Sequence, residues 1–339
     1  MTVVYHPSFL TPTQVHGHPE CPERVAAIMA KLEELELLDD TVEPEPAPME
    51  KVLRVHDGAY IDFLRGFGEG YMDPDTYVRP DTLDAALIAA GGALEAAEIA
   101  YNERRAVFAP LRPPGHHASS GHGGGFCYIN NAAVAAAEYV ERGKKVVIID
   151  YDVHHGNGTS DIFYDTDKVL YISTHQWGIY PGSGSFEETG EGKGEGYTVN
   201  IPLPAGSGDS TFASLFDRII APICSEFEPG IVLVSMGGDA HYMDLLGSLA
   251  LSTPGYVELL RKTMKMADAV CEGRLATLLD GGYHIGALAD VAAGIVGLFD
   301  GKDVETEFNE TRDTGTFGKG SIERAISAHA GRWSLGRSA

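Results

Sequence analysis

Apolar residues gather along this chain in two alternating patterns. Short continuous runs, AVFAPL (106–111), KVVIID (145–150), KVLYIS (168–173), GIVLVS (230–235) and LATLLD (275–280), have the length and composition of strands buried on both faces. Between them lie longer segments with apolar positions at helical spacing: 82–103, 131–143, 209–227 and 253–273. Thr253–Pro254 and Asp209–Ser210 mark helix starts, and Gly143 and Gly273 stand where C-terminal caps belong. This alternation predicts an α/β protein, a mostly parallel sheet with helices on both faces. Segments 66–80 and 176–196, rich in Gly, Pro, Asp and Glu, read as loops. Beyond about residue 300 the chain turns polar, then offers a terminal helix from Ser321. The pattern contains no internal repeat and predicts one domain over 1–300 with a peripheral extension over 301–339.

Four of the runs are each followed at once by a polar cluster: RPPGHHASSGHGGGFCYINN, YDVHHGNG, MGGDAH and GGYHIGAL. In open parallel sheets the loops leaving neighbouring carboxyl ends converge, and sites form there. A folded core tolerates one polar group if it is hydrogen-bonded. Asp150, Asp152, His154 and His155 crowd one strand end, which suggests a metal, a base, or both. Four such strand ends predict one shared site.

Composition narrows the partners. The 339 residues are 44% hydrophobic and 22% charged, the balance of a globular protein. Against 49 acidic residues stand 25 basic ones, a formal charge of −24, so no direct nucleic-acid binding is expected. Such a charge is compatible with a small or cationic partner, although solubility is its plainest reading. Cys21, Cys127, Cys224 and Cys271 lie far apart with no CxxC, which excludes a zinc finger or a small disulfide framework. The start, MTVVYHPSFL, lacks the basic and apolar regions of a secretory signal, and no apolar run of about 20 residues predicts a membrane span. A cytoplasmic protein is expected, and a homo-oligomer is allowed.

Asp152 and His154 are two apart, so in an extended segment both point to the same side. An oxygen from Asp239 in GGDAH would complete an Asp–His–Asp set with positions left for water and substrate, as a catalytic metal site requires. Alone, the pair reads equally well as a local turn; with Asp239 after another strand, a metal is the better reading. The ligand types suit Zn²⁺, with Fe²⁺ or Mn²⁺ as alternatives. His116–His117 follows Pro113-Pro114-Gly115, a rigid turn that presents both rings from a fixed backbone. Histidine shuttles protons near neutral pH, and core histidines usually come singly. Asp150 and Asn157 are candidates to orient the rings. Tyr283 follows two glycines that free the backbone to aim its phenol; the competing fate is a half-buried tyrosine at a strand end. GHGGGF (121–126) lacks the lysine and the helix start of a phosphate loop. His6, His16, His18, His56, His122 and His241 are expected to be structural or surface histidines, and His155 to pack behind the ligands.

Together these motifs resemble the histone deacetylase superfamily, which also contains acetylpolyamine amidohydrolases and acetoin-utilisation proteins. The similarity runs over about residues 3 to 298, through HPECPERV (18–25), LRVHDGAYIDFL (53–64), RPPGHHA, GFCYINNAAVAA, DYDVHHGNGT, YPGSG, NIPLPAGSGD, GGDAH and DGGYHIGAL. The NGT ending looks like the class II branch. This resemblance implies an arginase-like three-layer α/β/α fold around an eight-stranded parallel sheet. It implies hydrolysis of an acetyl or acyl amide on lysine or a related small amine, releasing acetate and the free amine. It further implies Zn²⁺ on Asp152, His154 and Asp239, with His117 as general base and acid and His116 as its electrostatic neighbour. Asp150 and Asn157 would orient those imidazoles, and Tyr283 would donate to the substrate carbonyl. Gly125, Phe126 and Tyr180 would line a narrow acyl-lysine tunnel, with Leu246 at its gatekeeper position. A structural potassium ion would draw on Asp150, Asp152, His154, Ser173 and Thr174. Because residue 157 is Asn and not Asp, the imidazole it orients is expected to be less basic.

Two departures, Gly238 in SMGGDAH and Leu245 in DLLG, are expected to shape the tunnel rim and not the ligands. Polyamine-selective eukaryotic relatives carry Glu where Leu246 stands, which weighs against a polyamine specificity of that type. Two rival readings are an arginase-type ureohydrolase and a non-catalytic acyl-ligand binding protein. The first needs bridging carboxylates that HHGNG does not supply. The second would tolerate loss of His117 or Tyr283, and both are present.

Overall fold

The computed structural model describes residues 2–335. Its centre is a parallel sheet of eight strands: β1 (Thr2–Val4), β2 (Asp40–Val42), β5 (Ala106–Ala109), β6 (Val146–Asp150), β7 (Val169–Gln176), β8 (Thr198–Leu203), β9 (Ile231–Met236) and β10 (Leu275–Leu279). They lie in the order β2–β1–β5–β10–β9–β6–β7–β8, every neighbouring pair parallel. A short antiparallel pair, β3 (Gly70–Tyr71) and β4 (Tyr77–Val78), stands apart within the segment 66–80 that the sequence reads as loop.

The five predicted strand runs become β5, β6, β7, β9 and β10, and the last four are buried along their whole length. Their continuous apolar sequence follows from helices on both faces. Helices Thr82–Glu103 and Asn131–Glu141 pack together and onto β5, β9, β10 and β6. Helices Glu23–Glu34, Ile285–Asp300 and Thr253–Cys271 form a second row against β5 and β9. The helical pattern over 209–227 is interrupted by a π turn at Phe216–Ile220, between helices Asp209–Leu215 and Ala221–Phe227. Pro222 has no N–H for the ladder and its ring crowds the carbonyl four residues back, so the turn widens there.

The tail is fastened to the domain. Its helix, Lys319–His329, starts two residues before the predicted position and packs on β8. Trp333 is buried and donates from Nε1 to Gly196 O at 2.8 Å, and Thr211 Oγ1 donates to Phe317 O at 2.9 Å. Among the described residues no helix is long and apolar enough to cross a membrane.

The strand order decides where the chemistry falls. β5, β10, β9 and β6 are consecutive neighbours, so the four polar clusters leave adjacent carboxyl ends. Asp150 is in register with Ser235 on one side and Ser173 on the other, which levels these ends across the sheet.

Candidate active site

Beyond β6 the chain turns over the sheet and brings Asp152 and His154 to Asp239 from the loop after β9. One ligand atom from each of these three buried residues lies within 4.8 Å of the others. His154 Nδ1 is 3.0 Å from Asp152 Oδ1 and 3.3 Å from Asp239 Oδ2. The His154 N–H also donates to Asp152 Oδ1 at 2.9 Å, so the local turn and the ligand pair are one structure. Backbone donors fix the carboxylates from behind: Gly281 N to Asp152 Oδ2 at 2.8 Å, and Val153 N to Asp239 Oδ1 at 2.9 Å. A Cβ at Gly281 would stand 2.2 Å from Asp239 Oδ2, which is why this strand end carries glycine. Asp239 Oδ2 itself is buried without a hydrogen-bond partner. Burial, reinforced by the Asp152 charge, raises the Asp239 carboxyl to about 7. Burial works against charge at His154, yet Asp152 and Asp239 push it up to about 10. A field that favours a proton so strongly favours a cation in the same place.

The histidine pair comes from the loop after β5. Asp280, at the end of β10, accepts from Gly115 N at 2.7 Å and His116 N at 3.2 Å, which ties this turn to the neighbouring strand. The two rings lie 4.0 Å apart. His116 Nδ1 pairs with Asp150 Oδ2 at 3.0 Å, and Tyr171 Oη donates to the same oxygen at 2.9 Å. His117 Nδ1 meets Asn157 Oδ1 at 2.8 Å. Burial disfavours charge on both rings. At His116 the carboxylates of Asp152 and Asp150 outweigh it and hold the imidazole well above its usual range. At His117 burial, then the neighbouring His116 and His154, drive it well below. A cationic ring thus lies against a neutral one.

Above these groups opens a cavity of about 360 Å³, lined by His117, His154 and Tyr283 and, toward the mouth, by Gly125, Phe126, Tyr180 and Leu246. Phe126 adopts φ +71, a costly conformation for a side-chain-bearing residue, and Gly125 adopts φ +53. A Cβ at Gly125 would meet His117 Cδ2 at 2.5 Å, so the wall can approach the imidazole only with glycine there. The Tyr180 ring stands edge-on to His117 at 4.9 Å, and Phe126 meets Tyr283 at 5.8 Å. Burial raises the Tyr283 phenol well above its usual range against the opposing pull of Arg24, so it stays a donor at neutral pH. Ser173 and Thr174 lie buried beside Asp150: Thr174 Oγ1 donates to Asp150 O at 3.2 Å, while Ser173 Oγ pairs with His175 Nδ1 at 2.9 Å.

Several contributors carry no sequence signal of their own. His18, expected to be structural or surface, lines the cavity and meets Phe126 edge-on at 4.5 Å, beside Asp75 and Ile179. Arg24 is fully buried, donates to Gly282 O and Asp280 O at 2.6 and 2.5 Å, and lies 4.9 Å over the Tyr283 ring. Asp244 accepts from Tyr283 N at 2.6 Å. Only the HPECPERV motif flagged the neighbourhood of His18 and Arg24. Gly238 sits beneath the site and away from the rim, where a Cβ would meet Leu288 Cδ1 at 2.5 Å; Leu245 is at the surface, 71% exposed. His155 packs behind the ligands as expected: its Nδ1 meets Ser183 Oγ at 2.9 Å and its ring lies 4.8 Å from His175.

A buried carboxylate–imidazole set beside a neutral base, at the carboxyl ends of a parallel sheet, has the parts to hold a metal ion and move a proton beside it. Residues 18–298 match the model of the histone deacetylase domain. An Archaeoglobus fulgidus protein named a probable deacetylase is 44% identical over 311 residues, covering 89% of this chain and 87% of its own length. Histone deacetylase 14, chloroplastic, of Arabidopsis thaliana is 38% identical over 319 residues, covering 86% and 75%. The crystal structure of the HDA15 HD domain superposes with a TM-score of 0.89 at 31% identity, covering 98% of this chain and 97% of that one. The chain belongs to the histone deacetylase family of hydrolases.

Proposed function

We propose that this chain is a Zn²⁺-dependent deacetylase that hydrolyses the acetyl or acyl amide of lysine, or of a related small amine, to acetate and free amine. The observation that carries this reading is the cavity floor, where three buried ligand atoms within 4.8 Å lie beside a neutral imidazole and a protonated phenol. The residues fit the ion: one ring nitrogen and two carboxylate oxygens leave open positions, and the buried Asp239 Oδ2 accepts no hydrogen bond. Fe²⁺ accepts the same donors and is the alternative. When bound, the ion supplies Lewis acidity, polarising the amide carbonyl and lowering the pKa of the attacking water.

The remaining work falls to the chain. His117, its Nδ1 engaged by Asn157, keeps Nε2 to take the water's proton and return it to the leaving amine. Cationic His116 favours negative charge developing beside it, and Tyr283 donates its O–H to the oxyanion. Phe126 and Tyr180 flank the acyl-amine stem, Gly125 lets the wall close, and Leu246 bounds the mouth. A potassium ion on Asp150, Asp152, His154, Ser173 and Thr174 would stiffen the β6 and β7 ends beneath the ligands. The names of the archaeal and plant relatives support deacetylation. A non-catalytic binding role fits less well, because His117 and Tyr283 both face the cavity.

The test is an assay of metal-stripped and Zn²⁺-reloaded protein on a fluorogenic acetyl-lysine amide and on N-acetylputrescine. Turnover that chelation abolishes and zinc restores is expected. Absence of turnover on any acyl-amine after loading would overturn the reading, and the ratio of the two rates separates lysine from polyamine specificity.

A further inference from the structure

A second cavity, of about 560 Å³, opens beyond the carboxyl ends of β7 and β8, on the same face as the active site. Its inner wall is Trp177, Phe186, Pro202 and Pro204, and its outer wall is Gly318, Gly320 and Arg324 from the tail. Trp177 is half exposed. The Arg324 guanidinium lies 4.3 Å over the Phe186 ring and pairs with Glu187 at 3.3 Å, so the charges at the rim compensate each other. Size and aromatic lining are those of a ligand pocket. The outer wall lies beyond residue 298, where the match to the family domain ends.

This cavity and the active site share a partition. Trp177 lines one, while Ile179 and Tyr180, two and three residues later, line the other. Three residues of chain reach at most about 10 Å, so the two openings are neighbours. The partition is firmly held. Gln176 Oε1 accepts from Ser248 N at 2.6 Å, which joins it to the loop bearing the exposed Leu245 and Leu246. At its other end Ser183 meets His155, and Gly184 O meets His175 Nε2 at 2.9 Å.

We infer that the second cavity is an exosite for extended acylated polypeptides, and that it takes an aromatic side chain three or four residues from the acylated lysine. The inference rests on the deacetylase reading, with the acyl-lysine stem in the active-site cavity. An extended peptide advances about 3.3 Å per residue, so three residues span the roughly 10 Å of partition and a fourth carries a side chain past its edge. The aromatic and proline inner wall favours phenyl or indole groups, and the Arg324–Glu187 pair leaves no unpaired charge at the rim to draw a charged side chain. A small acetylated amine leaves the exosite empty.

Acetyl-lysine peptides carrying Trp or Ala at each of four positions on either side test this on the zinc-loaded enzyme, on Trp177→Ala and on Ser321→Trp, which fills the groove. Trp at one position three or four removed should raise kcat/KM about tenfold, chiefly through KM. Both variants should abolish that advantage and leave N-acetylputrescine turnover unchanged. Equal rates for Trp and Ala peptides at every position, or variants that depress the small substrate as much as the peptide, overturn the exosite. Binding of a fluorescein-labelled Trp peptide, read by anisotropy, separates the two proposals. About tenfold weaker binding to Ser321→Trp upholds the exosite even if no acyl-amine is turned over, and equal binding removes it even if the enzyme is active.

Discussion

Two pairs of adjoining buried histidines lie near each other, and only one has carboxylates beside it. His116 and His117 have ring centroids 4.0 Å apart; His155 and His175 are 4.8 Å apart. Burial disfavours charge on all four. The difference is the company each pair keeps. His116 reaches Asp150 at 3.0 Å and Asp152 at 3.8 Å, and these carboxylates hold it cationic while its neighbour is driven neutral. His155 and His175 reach uncharged partners: the hydroxyls of Ser183 and Ser173, the Asn200 side chain and the carbonyl of Gly184. Burial therefore lowers both, His175 to about 4. Under the proposed function, carboxylates within reach make one pair an acid–base device; without them the other is a prop for the wall that carries Tyr180.

Substitutions can break this contrast, and the largest effect should come from His117→Ala. It should lower kcat/KM by about 10²–10⁴-fold while zinc content, measured by elemental analysis, stays unchanged. Tyr283→Phe should cost about 10²–10³-fold, mostly in kcat, since the phenol meets its partner only as the oxyanion forms; equal activity would remove it from the mechanism. Asp150→Asn makes the first pair resemble the second by removing a charge that holds His116 cationic. A loss of about 10–100-fold is expected, with the protonation of His116 followed by NMR. Asn157→Asp works the other way. A carboxylate on His117 raises its pKa, and because a general base acts deprotonated, the acid limb of the kcat/KM–pH profile should move to higher pH. An unmoved limb would detach Asn157 from the base. The smallest change is His175→Phe. An unfolded histidine takes its proton near 6.5 while this one resists until about 4, so its contribution to stability is full above 6.5 and fades as pH falls toward 4. The urea midpoint of His175→Phe should vary less between pH 7 and pH 5 than that of the unaltered protein.

What could be read from the chain follows the same physics. β6, β9 and β10 announced themselves because a strand covered on both faces must be apolar throughout, and a polar cluster directly after it stands out. β1 and β2, three residues each, are too short to show a pattern. β8 hides because Asn200 and Pro202 interrupt its apolar run. Helix Ile285–Asp300 packs between two other helices and on the sheet, so it is apolar on nearly every side and shows little stripe. At the site, Asp152, His154 and Asp239 were legible from spacing and strand position. His18, Asp75 and Ile179 were not, since loops reach the mouth by folding back from distant positions that no local periodicity records. Arg24 and Asp244 hold Tyr283 through backbone groups, a relation that exists only once the chain is folded.

β8 is the last strand of its sheet, yet Thr198–Leu203 are all buried. Thr189 O accepts from the N–H groups of Gly196 and Thr198, Asn200 Nδ2 donates to Glu188 O, and the tail seats Trp333 against Tyr197. Bare peptide groups along such a margin would offer a template on which a foreign strand could grow. The loop bearing Glu188 and Thr189 meets part of that margin from within the domain, and the tail adds an apolar cover over Tyr197 and β8. A fragment cut at residue 298, where the match to the family domain ends, would keep the proposed catalytic groups but bare the apolar surface of Tyr197 and β8 that the tail covers, a surface open to self-association.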